Sequence, residues 1–228
     1  YFSLNISESL LRMDKKGRCF FLFTFSQEIQ TSILSQGKLG VDLGIKTLAT
    51  TSDGRFFKRP EVKQIKRKFM FLRGKLQSKG TKSSKRLLKK SSGREQRFMH
   101  WTNHNISKEI VSKFNGNIIV MEDLKGIRNK RRGKKLNSWI SNWSYYQLQQ
   151  LITYKAERKG IEVIKVSPAF TSQICSRCGK LGSRIKGFFS CVSCGFSLHA
   201  DLNASRNLAQ GISYVRQVEC KPTTHLGR

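Results

Sequence analysis

Alternation opens the chain. Phe2, Leu4 and Ile6 recur at every second residue, Asp14-Lys15-Lys16-Gly17 supplies turn chemistry, and Phe21, Phe23 and Phe25 alternate with smaller or polar residues on the way back. This period of two predicts a β-hairpin over residues 1–36, its last part, 30–37, a polar linker. A second β region is expected over 38–57: Leu39-Gly40-Val41-Asp42-Leu43-Gly44 starts it, Ile45 to Thr51 continues it, and Ser52-Asp53-Gly54 turns it before Phe56 and Phe57. The period then lengthens. Phe69, Leu72 and Leu76, and later Leu87 and Leu88, stand at helical spacing, which predicts two helices over 58–97 with a Gly/Ser-rich loop near Lys79 to Ser84. Helix continues over 98–115, with Ile106, Ile110, Val111 and Phe114 inward. The apolar run Ile118 to Met121 suits a strand buried on both faces. A helix from about Ser144 to Arg158 follows, with Tyr145, Leu148, Leu151 and Ile152 inward and Gly160 as its stop, and then a strand over Ile161 to Val166. A last helix starts near Ala200, with Leu202, Ala209 and Ile212 on one face. The tail from about Arg216 carries no pattern.

Charge changes the picture. The 228 residues carry 44 Lys and Arg against 14 Asp and Glu, a formal net charge of +30, while 38% are hydrophobic, enough to build a core. Such a balance points to a polyanionic partner, nucleic acid first; a ribosome-type basic protein shares the composition. The positive charge is concentrated: sixteen Lys or Arg lie within 58–97 beside only Glu61 and Glu95, and seven lie within Lys125 to Lys135 beside no acid. A run of this density on a helix suits phosphate contact, although many charge runs are merely solvated faces. No apolar stretch approaches the ~20 residues of a membrane span, and nothing reads as a signal peptide. Tyr1 falls inside a strand pattern, so a fragment or an N-terminally truncated reading frame is expected.

Six cysteines are present, four of them as C-x2-C pairs: Cys175 with Cys178, and Cys191 with Cys194, twelve residues apart. Two such knuckles on facing hairpins complete a tetrahedral site of four thiolates, each knuckle followed by a Gly (Gly179, Gly195) that fits its tight turn. Zn2+ is the expected metal. A closed four-thiolate site leaves no position for water, so its role is structural, and so short a segment depends on the metal to fold. The other reading is a redox dithiol pair, which lacks a thioredoxin-like βαβ context. Acids are scarce enough for their places to inform. Asp42 lies in V-D-L-G-I, Glu122 ends I-I-V-M, and Asp201 opens the last helix in H-A-D-L-N-A-S. A carboxylate embedded in an apolar strand is costly unless paired or metal-bound. Three of them converging make an oxygen-ligand site for Mg2+, and two such ions can activate a water and stabilise the leaving oxygen of a phosphodiester. Singly, each acid has a plainer role: a lysine partner, a solvent contact at a strand end, or a charge at a helix N-terminus.

Taken in order, these residues resemble a known family. T-S-Q-I-C-S-R-C-G (Thr171 to Gly179), C-V-S-C-G and H-A-D-L-N-A-S-R-N-L-A (His199 to Ala209) resemble the C-terminal signature of the TnpB/OrfB proteins of bacterial insertion sequences; V-D-L-G-I-K-T-L-A-T (Val41 to Thr50) and I-V-M-E-D-L (Ile119 to Leu124) resemble their first and second nuclease motifs. The resemblance spans roughly residues 38–212. It implies an α/β chain with an RNase H-like (RuvC) core and an inserted four-cysteine zinc ribbon, related to type V CRISPR effectors. It implies domains at 1–36 (a hairpin remnant of an N-terminal wedge), 37–168 (first part of the nuclease core), 169–198 (zinc ribbon), 199–215 (last core helix) and 216–228 (tail). It implies Asp42, Glu122 and Asp201 as catalytic Mg2+ ligands, Cys175, Cys178, Cys191 and Cys194 as zinc ligands, and Asn203 as a support for the site.

The function implied is transposon-associated DNA cleavage by two-metal hydrolysis, directed in the family by a guide RNA to a site beside a short adjacent motif. DNA and guide RNA are the implied partners, with a separate transposase encoded by the same element. Trp101, Trp139 and Trp143 are candidates for base stacking, with core packing expected of at least two. The family's N-terminal half is longer, so the guided function is expected to be reduced or lost here. The alternative is a nucleic-acid-binding remnant or regulator without catalysis. The expected location is the cytoplasm of a bacterium or archaeon, or the nucleus of a eukaryote.

Overall fold

The computed structural model describes residues 5–14, 17–26, 35–124, 145–167 and 171–211. The chain forms two compact units, Tyr1–Ile33 and Leu34–Arg228. In the first, β1 (Asn5–Met13) pairs antiparallel with β2 (Cys19–Ser26), from Asn5 opposite Ser26 to Met13 opposite Cys19. Arg18 closes the turn: its backbone N–H and its Nε donate to the Asp14 carboxylate at 3.0 and 2.7 Å. Every residue of β2 is exposed, since two strands alone have nothing to bury a face against.

The second unit runs β3 (Ser35–Asp42), β4 (Ala49–Thr51), β5 (Phe56–Phe57), α1 (Pro60–Lys79), α2 (Lys82–Ser112), β6 (Gly116–Glu122), α3 (Tyr145–Glu157), β7 (Glu162–Val166), β8 (Ser183–Ile185), β9 (Phe188–Ser190), β10 (Ser197–His199) and α4 (Ala200–Gln210). Its main sheet has the order β5-β4-β3-β6-β7, antiparallel from β5 to β3 and parallel from β3 to β7. Among the described residues no helix is long and apolar enough to cross a membrane.

Two strand boundaries differ from the sequence pattern. Ser35 belongs to β3, not to a linker, because it pairs with Gly116 and the Gly37 N–H donates to Asn117 Oδ1 at 3.1 Å; ladder bonds from a distant strand hold a polar stretch that has no apolar period. Ile45 to Leu48 is a bend, not strand: the chain reverses after Asp42 so that Thr51 can lie opposite Val41. The helices form where their periods predict, but α2 begins at Lys82, inside the expected loop, and ends at Ser112, before Phe114. Pro60 opens α1 and Gly80, in the left-handed region at φ 65°, ends it; Thr81 caps α2 by accepting from the Ser84 N–H at 3.2 Å. Trp101 is exposed on α2, which leaves it available for stacking. Trp139, Trp143, the basic run 125–135, Ile212 and the tail 216–228 lie outside the described residues.

Strand parity decides which side chains meet. Leu39 and Val41 of β3, with Ile119 and Met121 of β6, point to one face and pack with Ile106 and Ile110 of α2 and Leu148 and Ile152 of α3. Gly40 and Val120, and with them Asp42 and Glu122, therefore point to the opposite face, against which α4 lies. The approach is so close that a Cβ on Gly40 would collide with the Ser205 carbonyl oxygen and stand 2.6 Å from the Ala209 nitrogen. Gly40→Ala should thus force α4 off the sheet. We expect a loss of about 3 kcal/mol and a melting temperature lowered by about 10 °C, read by thermal denaturation; an unshifted melt would mean that α4 is not seated as described.

Candidate active site and metal centre

Asp42 is the last residue of β3, and the pairing of Val41 with Met121 sets it level with Glu122, the last residue of β6. Both carboxylates thus stand at the C-terminal ends of adjacent central parallel strands, where open α/β sheets leave a crevice. Asp201 enters from the first turn of α4, whose N-terminus is capped by His199: its Nδ1 accepts from the Asp201 N–H at 3.3 Å. Glu122 and Asp201 both lie within electrostatic reach of Asp42. Burial, followed by the charges of Glu122 and Asp201, pushes the Asp42 carboxyl well above the usual carboxylate range, with Arg184 and the Leu43 amide opposing. Burial also raises Glu122, against a hydrogen bond from Thr171 and the charge of Arg184. Carboxylates whose ionisation burial opposes, as it does at Asp42 and Glu122, would be relieved by a hard dication.

Two residues not singled out for the site complete this cluster. Thr171 Oγ1 donates to Glu122 Oε1. Arg184, on β8, donates from Nη2 to Asp201 Oδ1 at 3.0 Å. Gln149 of α3 fixes the backbone beneath Glu122, its Nε2 donating to the Glu122 carbonyl at 2.6 Å. Thr171 lies within a recognised motif but carries no signal of its own. Arg184 is one cation among several between the cysteine pairs, and its role follows only from the path of the hairpin.

The four cysteines come together. Their sulfurs all lie within 4.8 Å of one another, with Cys175 Sγ 3.8 Å from Cys194 Sγ and Cys178 Sγ 3.5 Å from Cys191 Sγ. Four thiolates at about 2.3 Å from a central zinc would be spaced at about 3.8 Å, so the cluster fits that metal. None of the four is in a disulfide. The two knuckles repeat one geometry: the Cys175 N–H donates to Lys180 O and the Gly179 N–H to Cys175 O, both at 2.9 Å, while the Cys191 N–H donates to Phe196 O at 2.8 Å and the Gly195 N–H to Cys191 O at 2.9 Å. Gly179 and Gly195 sit at φ 73° and 69°, which an L side chain would strain. Phe189, fully buried, packs with Cys175, Cys191 and Ala200.

The ribbon and the carboxylates are one hydrogen-bonded assembly. Asn203 Oδ1 accepts from the Ser176 N–H at 2.9 Å and its Nδ2 donates to Ile174 O at 2.6 Å. Asn207 Nδ2 donates to Thr171 O at 2.8 Å and to Ile174 O at 2.7 Å. All of these groups are buried, so α4 is fastened to the segment that leads from Thr171, the partner of Glu122, into the first knuckle. Asn203 therefore supports the site through the ribbon.

Residues 145–208, which hold all four cysteines and Asp201, match the family model described as Cas12f1-like, TNB domain. A CRISPR-associated endodeoxyribonuclease Cas12f1 of Sulfoacidibacillus thermotolerans is 32% identical over 226 residues, covering 89% of this chain and 52% of that protein. A TnpB-like protein of Methanocaldococcus jannaschii is 34% identical over 157 residues, covering 65% of this chain and 56% of its own length. The chain belongs to the TnpB family. Another relative, the putative RNA-guided DNA endonuclease InsQ of Escherichia coli, is 29% identical over 216 residues, 84% of this TnpB-family chain and 53% of InsQ. Among solved structures, a CRISPR-Cas12f ternary complex superposes with a TM-score of 0.64 at 21% identity, over 87% of this chain and 44% of that one, and a Cas12f1-sgRNA-target DNA complex with 0.60 at 19%, over 92% and 65%. The fold is accordingly α/β, an RNase H-like (RuvC) core with a four-cysteine ribbon inserted ahead of the last helix. The TnpB chain spans about half the length of the curated relatives it matches.

Proposed function

We propose that this chain carries the nuclease centre of a transposon-associated, RNA-guided DNA endonuclease, with Asp42, Glu122 and Asp201 holding Mg2+ and the four cysteines holding structural Zn2+. The observation that supports it most is the convergence of three carboxylates from β3, β6 and α4 on one face of the sheet. Mg2+ bound there, as two ions, would supply an activated water and charge neutralisation for the leaving oxygen of a phosphodiester. The chain's own part is to set the ligands. Thr171 orients Glu122, the His199 cap and Arg184 orient Asp201, and the strand end fixes Asp42. Arg184 also brings a guanidinium, which matches phosphate oxygens in shape and charge. The basic faces of α1 and α2 supply the electrostatic track for DNA and guide RNA, so binding should weaken steeply with salt.

The test is cleavage of end-labelled single-stranded DNA by the purified chain, with Mg2+ and in Mg2+-free buffer. A chelator is avoided because it would also strip zinc. Cutting should require Mg2+ and fall at least about 100-fold in Glu122→Gln, which keeps shape and hydrogen-bonding capacity but loses the charge. Tight binding of strands by a folded, zinc-loaded chain that never cuts them would favour the remnant or regulator instead.

A further inference from the structure

A cavity of about 650 Å3 opens between the bend that follows β3 and the first turns of α1, and none of the three carboxylates lines it. That volume falls within the range of small-ligand pockets, ~300–1,000 Å3. Six of its ten lining residues are Lys or Arg and none is acidic. Its wall is otherwise aliphatic. Leu48 and Val62 form a buried floor and Ile45, 37% exposed, stands at the mouth. Lys46, Lys63 and Arg67 are exposed around it. Lys66 is buried within the wall, and burial brings its ammonium down to about 8, with Glu95 opposing.

These features select among ligands. A cation has no acid to meet. An apolar ligand would make no use of Lys46, Lys63 and Arg67, and inorganic phosphate would leave the aliphatic floor empty. A group with a flat apolar body and an attached anion satisfies both parts. We propose that this cavity takes a single nucleotide, unstacked from a nucleic-acid strand, with its base against Leu48 and Val62 and its phosphate among the surrounding cations; the inference rests on the reading of the chain as a nucleic-acid enzyme. Leu48 of this floor belongs to the bend that leaves Asp42, so a nucleotide seated there would hold the strand at a fixed register from the carboxylates.

The experiment measures equilibrium binding of short labelled single strands to the full chain in Mg2+-free buffer. One abasic residue is moved along the strand, in parallel DNA and RNA series that identify the source of the nucleotide. One position should cost about tenfold in affinity, the loss expected when one base no longer covers the aliphatic floor. That penalty should shrink below twofold in Ile45→Phe and Val62→Phe, which fill the cavity from the mouth and from the floor; Ile45, being partly exposed, tolerates the larger side chain if Val62→Phe fails to fold. Lys63→Gln with Arg67→Gln should weaken intact and abasic strands equally. A flat abasic scan in both series, a penalty untouched by Ile45→Phe, or a wild-type chain that binds no strand overturns the proposal. Strands bound with the abasic penalty but never cut in Mg2+ would overturn the nuclease reading and leave the pocket standing.

Discussion

Asp42→Asn should abolish cleavage and at the same time raise the stability of the Mg2+-free chain. The loss of activity follows from removing the charge of a proposed Mg2+ ligand that faces both Glu122 and Asp201, and at least a thousandfold is expected. The gain follows from the same charge. Asp42 is half-buried at a strand end, and its ionised form is opposed by burial, by Glu122 and by Asp201. Because its folded-state pKa is raised, the folded chain holds this proton more tightly than the unfolded one. Stability is therefore full below the unfolded value, about 3.9, and is lost as pH rises towards and through the raised folded value. Glu122, raised by burial, acts in the same direction. The asparagine escapes the cost. A neutral side chain of the same shape escapes the burial and the two like charges that oppose ionised Asp42, so a melting temperature raised by a few degrees is expected. Melts of both proteins at pH 5.5 and 8 in Mg2+-free buffer would show the variant's advantage growing with pH. Added Mg2+ should then stabilise the wild type and leave Asp42→Asn nearly unmoved. A variant less stable than wild type at pH 8 would mean that Asp42 is a satisfied structural acid.

The second large effect concerns the ribbon. Cys191→Ser removes one of the four thiols proposed to hold zinc, and apparent zinc binding energies of about 10–16 kcal/mol in small domains mean that the segment 171–199 should lose its fold. Phe189 would lose its packing, Arg184 its place beside Asp201, and Thr171 its fixed approach to Glu122. Cleavage should fall by about 100-fold or more although no carboxylate is touched. Hydrogen exchange should rise across 171–199 while α2, α3 and β6 keep their protection, and metal analysis should show the loss of one zinc per chain. Retained cutting in a zinc-free ribbon would separate the two centres, contrary to the hydrogen bonds of Asn203 and Asn207.

Much of this site was legible in the order of residues. Paired cysteines at knuckle spacing announce that their thiols cluster, because two tight turns can present them together whatever surrounds them. The apolar frames of Asp42 and Glu122 mark them as acids inside a sheet, and the presence of α1 and α2 was legible because helical periods are local, although the ends of α2 were not. Other features were not legible because their causes are not local. Ser35 joins β3 only through a strand eighty residues away. Ile45 to Leu48 has the composition of a strand but turns, since its neighbour must run antiparallel. Most of all, the sequence by itself determined which acids and thiols are present and on which kind of element each stands. Only the tertiary structure decided that Asp42 and Glu122 share a face, because that depends on the register between β3 and β6. It also decided that Gly40 lets α4 carry Asp201 close to them, and that Arg184 and Thr171 tie the thiol cluster to the carboxylates, because side chains remote in sequence meet only where the sheet, the ribbon and α4 are packed together.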